Sequence, residues 1–362
     1  MIRPPEYISS IKPYVPGKPI EELERELGIR NSIKLASNEN PLGPSRLAIE
    51  AIKGKENDLN RYPDGGGYYL RKAIAERLSI DMDNIILGNG SNELIDIAVR
   101  TYMRPGDEAV MAHPSFVVYA MSVQAMGSKP ILVPLKDYRH DLEGMLKSVN
   151  ERTRLFFIAN PNNPTGTINR REEFDRLMEN IPDGVLVIMD EAYYEYVTDP
   201  EYANSMKWFR KGKDILILRT FSKIYGLAGL RIGYGIARNE IILEMNRLRP
   251  PFNTNSLGQV AALAALKDDE HVRRSRMINE EGKIFLYREL KRLNIPYIPT
   301  EANFIYIPCR DSKSIYDALL KKGVIIRPMG PEAIRVTIGL PEENKRFINE
   351  LEMITKEDLW TS

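Results

Sequence analysis

The sequence predicts an α/β fold, with a large domain built on a mostly parallel central sheet and a smaller α/β domain. Between residues 84 and 237, apolar runs of strand length alternate with amphipathic segments of helix length. Strands that are apolar along their whole length are typical of parallel sheets, because helices cover both faces of such sheets. A chain of 362 residues is long enough for one large and one small domain.

The predicted elements of the large domain are short and regular. We expect strands at residues 84–87, 108–112, 130–134, 154–159, 185–190, 214–219 and 232–237. Helices are expected at 46–53, 69–78, 92–102, 116–126, 142–149, 171–180 and 239–248. Helices separate many of these strands along the chain, which is the order expected of a parallel sheet with helical connections.

A break at Pro250 and Pro251 separates a second series of elements. It has predicted helices at 257–266, 269–293, 312–322 and 342–354, and strands at 304–307, 324–327 and 333–337. A proline-rich arm and a short helix at 20–27 open the chain. We therefore assign residues 35–248 to the large domain. Residues 1–34, with the arm, and 249–362 form the small domain.

Composition and charge argue against several classes of protein. The net charge of +1 favours neither nucleic acid nor an anionic membrane surface as a partner. No apolar run approaches the roughly 20 residues that span a bilayer, and we expect no signal peptide at the first residues. Cys309 is the only cysteine, so no intrachain disulfide can form and we expect a cytoplasmic protein. One cysteine and three scattered histidines favour no metal site.

The first candidate for chemistry is the lysine in the stretch from Thr220 to Tyr234. Lys223 lies among hydroxyl side chains and is followed eight residues later by Arg231. Burial would favour its neutral amine, a nucleophile that forms Schiff bases with carbonyl cofactors. Thr220, Ser222 and Arg231 offer hydrogen-bond donors for a phosphate. The alternative is a lysine in a glycine-rich surface loop.

A second candidate lies at the first strand–helix junction of the large domain. Gly90, Ser91 and Asn92 follow a predicted strand and begin a helix. A helix N-terminus offers free N–H groups to an anion such as a phosphate, although a simple helix cap is the alternative. Phe116, which follows the next strand, could lie flat on an aromatic ring, although a core position is the default for phenylalanine.

Two further groups follow strands at the edge where open α/β sheets bind ligands. Asn163 lies in a loop with two Asn-Pro steps, and its amide could hydrogen-bond a ligand oxygen. Asp190 ends a buried strand, and Tyr193 follows it three residues later. A buried carboxylate needs a cationic or N–H partner, and a protonated pyridine nitrogen is one such partner. A tight turn and a loop-capping aspartate are the alternatives.

The small domain contributes two arginines that fall in or at the end of apolar strands. Arg327 ends one strand, and Arg335 lies inside another. A buried arginine is costly unless it is paired with an anion, so a bound anionic substrate or a structural ion pair is expected. Tyr14, in the proline-rich arm, could either reach a site or pack the arm against the surface.

Four segments together resemble the fold-type I aminotransferases that depend on pyridoxal phosphate (PLP): Asn160–Gly166, Asp190–Tyr193, Thr220–Tyr234 and the strand around Arg335. The separations of 27 residues from Asn163 to Asp190 and 33 from Asp190 to Lys223 fit that family. Three other segments are most similar to its histidinol-phosphate aminotransferase branch: Lys34–Pro44, Arg61–Asp64 and Val324–Pro328. The similarity runs from the arm to about Gly339, nearly the whole chain.

The resemblance implies an aspartate-aminotransferase-like fold and PLP as the cofactor. Lys223 would form the Schiff base, Asp190 would pair with the pyridine nitrogen, and Phe116 would stack on the ring. Tyr193 and Asn163 would hydrogen-bond the oxygen on the ring. Around the cofactor phosphate the resemblance implies Gly90, Ser91, Asn92, Thr220, Ser222 and Arg231. Asparagine at 92, where the family more often has aspartate, leaves the backbone donors unchanged.

The resemblance also implies a homodimer with shared active sites, because Tyr62 would reach the cofactor phosphate of the neighbouring subunit. The residues implied for the substrate and its anionic end are Tyr14, Asn38, Arg327 and Arg335.

The reaction implied is amino transfer between histidinol phosphate and 2-oxoglutarate, in histidine biosynthesis. An aminotransferase for aromatic or acidic amino acids is one alternative. A threonine-phosphate decarboxylase, which also needs a phosphate pocket, is another. A non-catalytic regulator is disfavoured, because Lys223 is present and the catalytic fold fills the chain.

Overall fold

The computed structural model describes residues 2–354 and 359–360. Its strands, in chain order, are β1 (Ile33–Lys34), β2 (Ile85–Gly88), β3 (Glu108–His113), β4 (Lys129–Pro134), β5 (Thr153–Ala159), β6 (Leu186–Asp190), β7 (Ile215–Thr220), β8 (Gly233–Ile236), β9 (Phe304–Pro308), β10 (Val324–Ile325), β11 (Arg327–Pro328) and β12 (Ala333–Thr337).

Its α-helices are α1 (Glu6–Ser9), α2 (Ile20–Leu27), α3 (Arg46–Lys53), α4 (Tyr68–Leu78), α5 (Ser91–Tyr102), α6 (Val118–Ala125), α7 (Leu142–Lys147), α8 (Arg171–Asn180), α9 (Ser205–Arg210), α10 (Asn239–Asn246), α11 (Ser256–Ala265), α12 (Asp269–Arg292), α13 (Ser312–Lys321) and α14 (Pro341–Ile354).

Many helices begin where a short polar side chain satisfies a free backbone N–H group. The residue before the first helical residue accepts such a hydrogen bond at six helices, through Ser45, Asp141, Asn204, Asn255, Asp268 and Asp311. A cap of this kind stabilises a helix by about 1 kcal/mol. The sequence therefore marks these helix starts locally, before any tertiary contact forms.

The largest sheet has seven strands in the order β2-β8-β7-β6-β5-β3-β4. The five strands from β7 to β4 are parallel, whereas β8 runs antiparallel to both β7 and β2. The predicted α/β fold with a large, mostly parallel sheet is confirmed. The antiparallel strand β8 is the one departure from parallel pairing in this sheet.

Two apolar layers cover the two faces of this sheet, and β7 shows how the sequence divides between them. Ile215 and Ile217 pack into one layer, and Leu216 and Leu218 pack into the other. Alternate side chains of a strand point to opposite faces, so each layer takes every second residue. Because both faces are apolar, polar groups can gather only at the ends of the strands.

Two small sheets form the rest of the β-structure in the described residues. β11, β12 and β9 make an antiparallel sheet in that order, and β1 pairs with β10 in parallel. The single strand expected at 324–327 is split at Ile326, because β10 pairs with β1 while β11 pairs with β12. A third apolar cluster packs on these sheets, with Leu286, Ile305 and Val336 among its members.

The N-terminal arm contacts both parts of the molecule. The Gln124 side chain in α6 donates to the Tyr7 carbonyl at 3.2 Å and to Ser10 Oγ at 2.9 Å. Further along, Leu23 in α2 packs with Ile325 of β10. The arm thus lies across the boundary between the large sheet and the small sheets. The division at residues 35 and 248 stays a prediction.

Candidate active site

A cavity of about 220 Å³ opens at the carboxyl ends of β5, β6 and β7, where the N-terminus of α5 also lies. Fourteen of the predicted site residues line it: Tyr14, Asn38, Gly90, Ser91, Asn92, Phe116, Asn163, Asp190, Tyr193, Thr220, Ser222, Lys223, Arg231 and Arg335. Five lining residues were not predicted: Ser37, Tyr119, Ala159, Pro161 and Ala192. Tyr62 and Arg327 lie outside the lining of this cavity.

The amine of Lys223 lies in this cavity with few polar partners. Its Nζ donates to the carbonyl oxygen of Ser37 at 3.2 Å and lies 5.6 Å from the centre of the Tyr193 ring. Burial, followed by the positive charge of Arg335, lowers the pKa of Lys223 to about 8. The neutral, nucleophilic amine is therefore far more populated near neutral pH than it would be for an ordinary lysine.

Asp190 ends β6, and the residue is only 6% exposed. One oxygen, Oδ2, accepts a hydrogen bond from the Tyr119 hydroxyl at 2.7 Å. The other, Oδ1, accepts the backbone N–H of Ala192 at 3.1 Å. Burial raises the pKa of Asp190, whereas these two hydrogen bonds lower it. The carboxylate lines the cavity, where a cationic partner would stabilise its ionised form.

One wall of the cavity offers donors to an anion. Arg231 Nη1 lies 3.4 Å from Ser222 Oγ, and a Cβ added at Gly90 would lie 2.7 Å from Arg231 Nη2. Gly90 has a φ of +75°, so a side chain there would be both strained and crowded. Ser91 begins the 12-residue helix α5, whose first N–H groups have no partner within the helix. The guanidinium, the hydroxyl and the helix end together suit a phosphate.

The opposite wall is held by hydrogen bonds that link the large sheet to the small one. The Asn38 side chain donates to the Tyr193 hydroxyl at 2.8 Å. Arg335 Nη1 donates to Asn163 Oδ1 at 2.5 Å, and Arg335 Nη2 donates to the Ala36 carbonyl at 2.7 Å. The loop at residues 36–38 is therefore fixed between the two sheets, with Lys223 facing it.

Two arginines lie directly opposite each other at the small-sheet side of the cavity. Arg327 of β11 is paired in register with Arg335 of β12, so both side chains share one face of the sheet. The ring of Tyr14 lies 5.2 Å from the guanidinium of Arg327. Arg335 is buried, and its Nε has no hydrogen-bond partner in residues 2–354 and 359–360. Within the same described residues, neither arginine has a carboxylate partner.

Tyr62 lies on the surface, away from the cavity of its own chain. Its side chain is 81% exposed and stacks on Phe252, with ring centres 4.6 Å apart. Tyr68 and Tyr69, which begin α4 in the same part of the chain, are also exposed. We refer to Tyr62, Tyr68, Tyr69 and Phe252 as the aromatic cluster.

Among the five unpredicted lining residues, Tyr119 makes the shortest hydrogen bond to a predicted one, at 2.7 Å to Asp190. It lies three residues after Phe116, and the two rings meet edge to face with centres 5.5 Å apart. Residues three apart at the start of a helix lie on the same side, which is the sequence signal that could have revealed it. Ser37 had no comparable signal, because it contacts Lys223 through a backbone carbonyl.

The sequence profile of the class I and II aminotransferases matches residues 30–351. The chain belongs to this family. It is 51% identical to the histidinol-phosphate aminotransferase of Moorella thermoacetica, over 96% of this chain and 92% of that protein.

Two solved structures of aminotransferases share its fold. The histidinol-phosphate aminotransferase of Sinorhizobium meliloti, in complex with pyridoxal-5′-phosphate, has a TM-score of 0.89 and 27% identity, over 98% of this chain and 97% of that one. The aspartate aminotransferase of Thermotoga maritima has a TM-score of 0.83 and 23% identity, over 96% of this chain and 99% of that one. The predicted aminotransferase and its aspartate-aminotransferase-like fold are confirmed.

Proposed function

We propose that this chain transfers the amino group of histidinol phosphate to 2-oxoglutarate, with PLP as its cofactor, as a step of histidine biosynthesis. The observation that carries the choice of substrate is the register pair of Arg327 and Arg335 beside the cavity of Lys223. The relative from Moorella thermoacetica, with the name histidinol-phosphate aminotransferase, supports the same choice.

Two arginines directly opposite each other in a sheet repel, and they need an anion between them. Histidinol phosphate has no carboxylate, so its phosphate must take the place that a carboxylate holds in other amino donors. A phosphate is doubly charged and has three oxygens, so it suits two guanidinium groups better than a carboxylate does. The unpartnered Nε of Arg335 is one donor free for this purpose within the described residues.

The residues of the cavity fit PLP on three sides. Arg231, Ser222 and the first turn of α5 would hold its phosphate, and the other donors beside them are Thr220, Gly90 and Asn92. Asp190 would face the pyridine nitrogen, and Phe116 would cover the ring. When bound, PLP supplies an aldehyde carbon that condenses with amines and a ring that takes up an electron pair.

The side chains of the site would have distinct roles in the reaction. Lys223 Nζ, in its neutral form, would remove the proton from the substrate carbon that carries the amine and return it later as a general acid. The Asp190 carboxylate would keep a proton on the ring nitrogen by its negative charge. Asn163 and Tyr193 would donate to the oxygen on the ring and fix its orientation. Arg335, Arg327, Asn38 and Tyr14 would hold the substrate so that its reacting carbon faces Lys223.

The test of the substrate is a half-reaction with the purified, PLP-loaded protein. Histidinol phosphate, glutamate, phenylalanine and threonine phosphate are mixed with it separately, and the visible absorbance of the bound cofactor is followed. We expect a rapid change with histidinol phosphate and glutamate. No change with histidinol phosphate would contradict the proposal, and carbon dioxide release from threonine phosphate would favour a decarboxylase.

An Arg327→Ala variant tests the phosphate argument separately. We expect KM for histidinol phosphate to rise roughly a hundred-fold and KM for glutamate to rise much less, because a charge-assisted contact to the phosphate is lost. Arg310→Ala, which removes an exposed arginine outside the cavity, is the control and should change neither value. An equal loss for both substrates would show that Arg327 does not distinguish phosphate from carboxylate.

The proposal includes a homodimer with shared active sites. The aromatic cluster exposes two pairs of contacting rings, Tyr62 with Phe252 and Tyr68 with Tyr69, and exposed apolar patches are typical of protein interfaces. Tyr62 would then extend from this cluster into the phosphate end of the partner's cavity. A cytoplasmic location is part of the same proposal and rests on the lone, buried Cys309. In the described residues, no helix is long and apolar enough to cross a membrane.

A further inference from the structure

Tyr119 is a buried residue of the cavity whose hydroxyl has no role in the mechanism above. Its hydroxyl donates to Asp190 Oδ2 at 2.7 Å, and its ring is only 1% exposed. The ring stacks on Phe157 of β5, with centres 4.8 Å apart, and meets Phe116 edge to face. Tyr119 therefore connects the aromatic ring proposed to cover the cofactor with the carboxylate proposed to face its nitrogen.

The hydrogen bonds around Asp190 fix the direction of its carboxylate. Oδ2 accepts from Tyr119, and Oδ1 accepts from the Ala192 backbone at 3.1 Å. Each oxygen thus has one protein donor, and each retains one lone pair for a partner in the cavity. Since the two donors belong to α6 and to the loop after β6, the carboxylate cannot rotate without losing one of them.

The same hydrogen bond acts on the charge of Asp190. Burial raises the pKa of Asp190, and the hydrogen bond from Tyr119 is the first of the effects that oppose it. Burial also raises the pKa of Tyr119 well above its usual range, so its hydroxyl keeps its proton and acts as the donor. Without this donor, the buried carboxylate would bind a proton more strongly.

We propose that Tyr119 is a positioning residue for Asp190, whose carboxylate it keeps ionised and turned toward the nitrogen of the cofactor. This inference rests on the proposed function, because it requires PLP in the cavity. It goes beyond that function because the protonation of the ring nitrogen would depend on two residues, Tyr119 and Asp190. A tyrosine that only filled the core would be replaceable by phenylalanine, whose ring makes the same contacts with Phe157 and Phe116.

The experiment compares the wild-type protein with Tyr119→Phe, both loaded with PLP carrying ¹⁵N in its ring. The ¹⁵N NMR signal reports directly whether the ring nitrogen is protonated. We expect the signal to shift toward the unprotonated position in Tyr119→Phe, because the proton moves toward the more basic carboxylate. We also expect kcat with histidinol phosphate to fall roughly ten-fold, while KM changes less than two-fold, since the loss of a hydrogen bond to a charged group has about this effect.

Tyr102→Phe is the matched control, because it also removes one phenolic hydroxyl. Tyr102 closes α5 at the end away from the cavity, about 17 Å along the helix from Ser91, and its hydroxyl donates to the Ile241 carbonyl. The control should leave the ¹⁵N signal, kcat and KM unchanged. Thermal unfolding of each variant shows whether it is folded.

Unchanged ¹⁵N signal and kcat in a folded Tyr119→Phe protein would overturn the inference. If that variant does not fold, Tyr119→His, which retains a donor on a ring, is expected to keep the wild-type ¹⁵N signal, and a shift toward the unprotonated position would overturn the inference. A wild-type protein that binds no PLP would instead overturn the proposed function, and this inference with it. If the wild-type protein binds PLP and transfers the amino group, but Tyr119→Phe has the same ¹⁵N signal and kcat, only the inference about Tyr119 is overturned.

Discussion

Lys223 shows how a single side chain is prepared for chemistry by its surroundings. Within the part of the chain that the structure describes, its Nζ makes one hydrogen bond, to the backbone carbonyl of Ser37, so its ammonium form is poorly solvated within the cavity. The positive charges of Arg335 and Arg231 disfavour that form further, and Glu39 opposes them. The balance favours the neutral amine at a pH well below that of an ordinary lysine.

We expect the amine of Lys223 to titrate with a pKa of about 8 in the PLP-free protein. Acetylation of Lys223, followed by mass spectrometry over a range of pH, measures this value directly. A midpoint near 10, the ordinary value for lysine, would contradict it. Between the folded and unfolded pKa values of Lys223, the unfolded chain binds more protons than the folded chain. The free energy of unfolding therefore rises with pH across this window.

The Lys223→Met variant provides the matching measurement of stability. Because it lacks the disfavoured ammonium, the PLP-free variant should be more stable than the wild type at pH 7, by up to about 3 kcal/mol. The difference should shrink as the pH approaches 10. Urea unfolding at pH 7 and pH 10 measures the difference in the free energy of unfolding between the two proteins. An equal difference at both pH values would show that it comes from packing and not from charge.

For single residues, the sequence predicted the site side chains that belong to recognisable motifs. It missed those, such as Tyr119, that contact the site through another side chain. Lys223, Asp190 and Asn163 each follow a buried strand, and a strand end is visible in sequence. Tyr119 was missed because a tyrosine in an apolar helix looks like core, and its hydroxyl partner is 71 residues away along the chain. The roles of the predicted residues stay predictions.

Among the elements, the apolar runs located the strands of the seven-stranded sheet to within a residue or two, because a fully buried strand must be apolar throughout. The short strand β1 was not predicted. The apolar runs could not give the direction of β8, since an antiparallel strand buried on both faces has the same composition as a parallel one. The segment at 324–327 was expected as one strand for a similar reason. Its division into β10 and β11 depends on two different partners, β1 and β12, and not on local sequence.

The N-terminus of α5 yields a prediction for an element. Gly90→Ala would place a Cβ 2.7 Å from Arg231 Nη2 at a φ of +75°, so the guanidinium and the first turn of α5 must both shift. We expect the affinity for PLP to fall at least ten-fold, because a phosphate site loses its geometry. Gly54→Ala is the control, as no atom lies within 4 Å of its added Cβ. Titration of each protein with PLP, followed by absorbance, measures these affinities. Equal affinities of Gly90→Ala and the wild type would contradict the prediction.

At the scale of the whole molecule, the aromatic cluster is the feature that one chain leaves unexplained. Tyr62 is 81% exposed although it stacks on Phe252. An exposed pair of stacked rings gains little from burial within one chain, and a second copy of the chain would remove it from water. Such an interface would bring Tyr62 to the Lys223 cavity of the second copy, whereas it does not line the cavity of its own chain.

Mixing two inactive variants tests this arrangement. Tyr62→Ala and Lys223→Ala should each be weakly active or inactive alone, but a mixed dimer has one site with both residues intact. With random reassembly after mild denaturation, about a quarter of the wild-type sites are restored, because half of the dimers are mixed and each has one complete site. Activity no greater than the average of the separate variants, or a monomer in sedimentation, would contradict the shared site.

The pair of Arg327 and Arg335 belongs to the three-stranded sheet, whereas Lys223, Asp190 and the phosphate wall belong to the seven-stranded sheet and its helix. The two sets meet through the hydrogen bond from Arg335 to Asn163 and through the edge-to-face contact of Tyr193 with Phe304 of β9. In the proposed function, the side chains that recognise the amino donor would therefore lie on a different sheet from the side chains that carry out the chemistry. On that proposal, a change in β11 or the arm would alter substrate choice while the reactive centre stays intact, and this division would be a route for evolving new specificities.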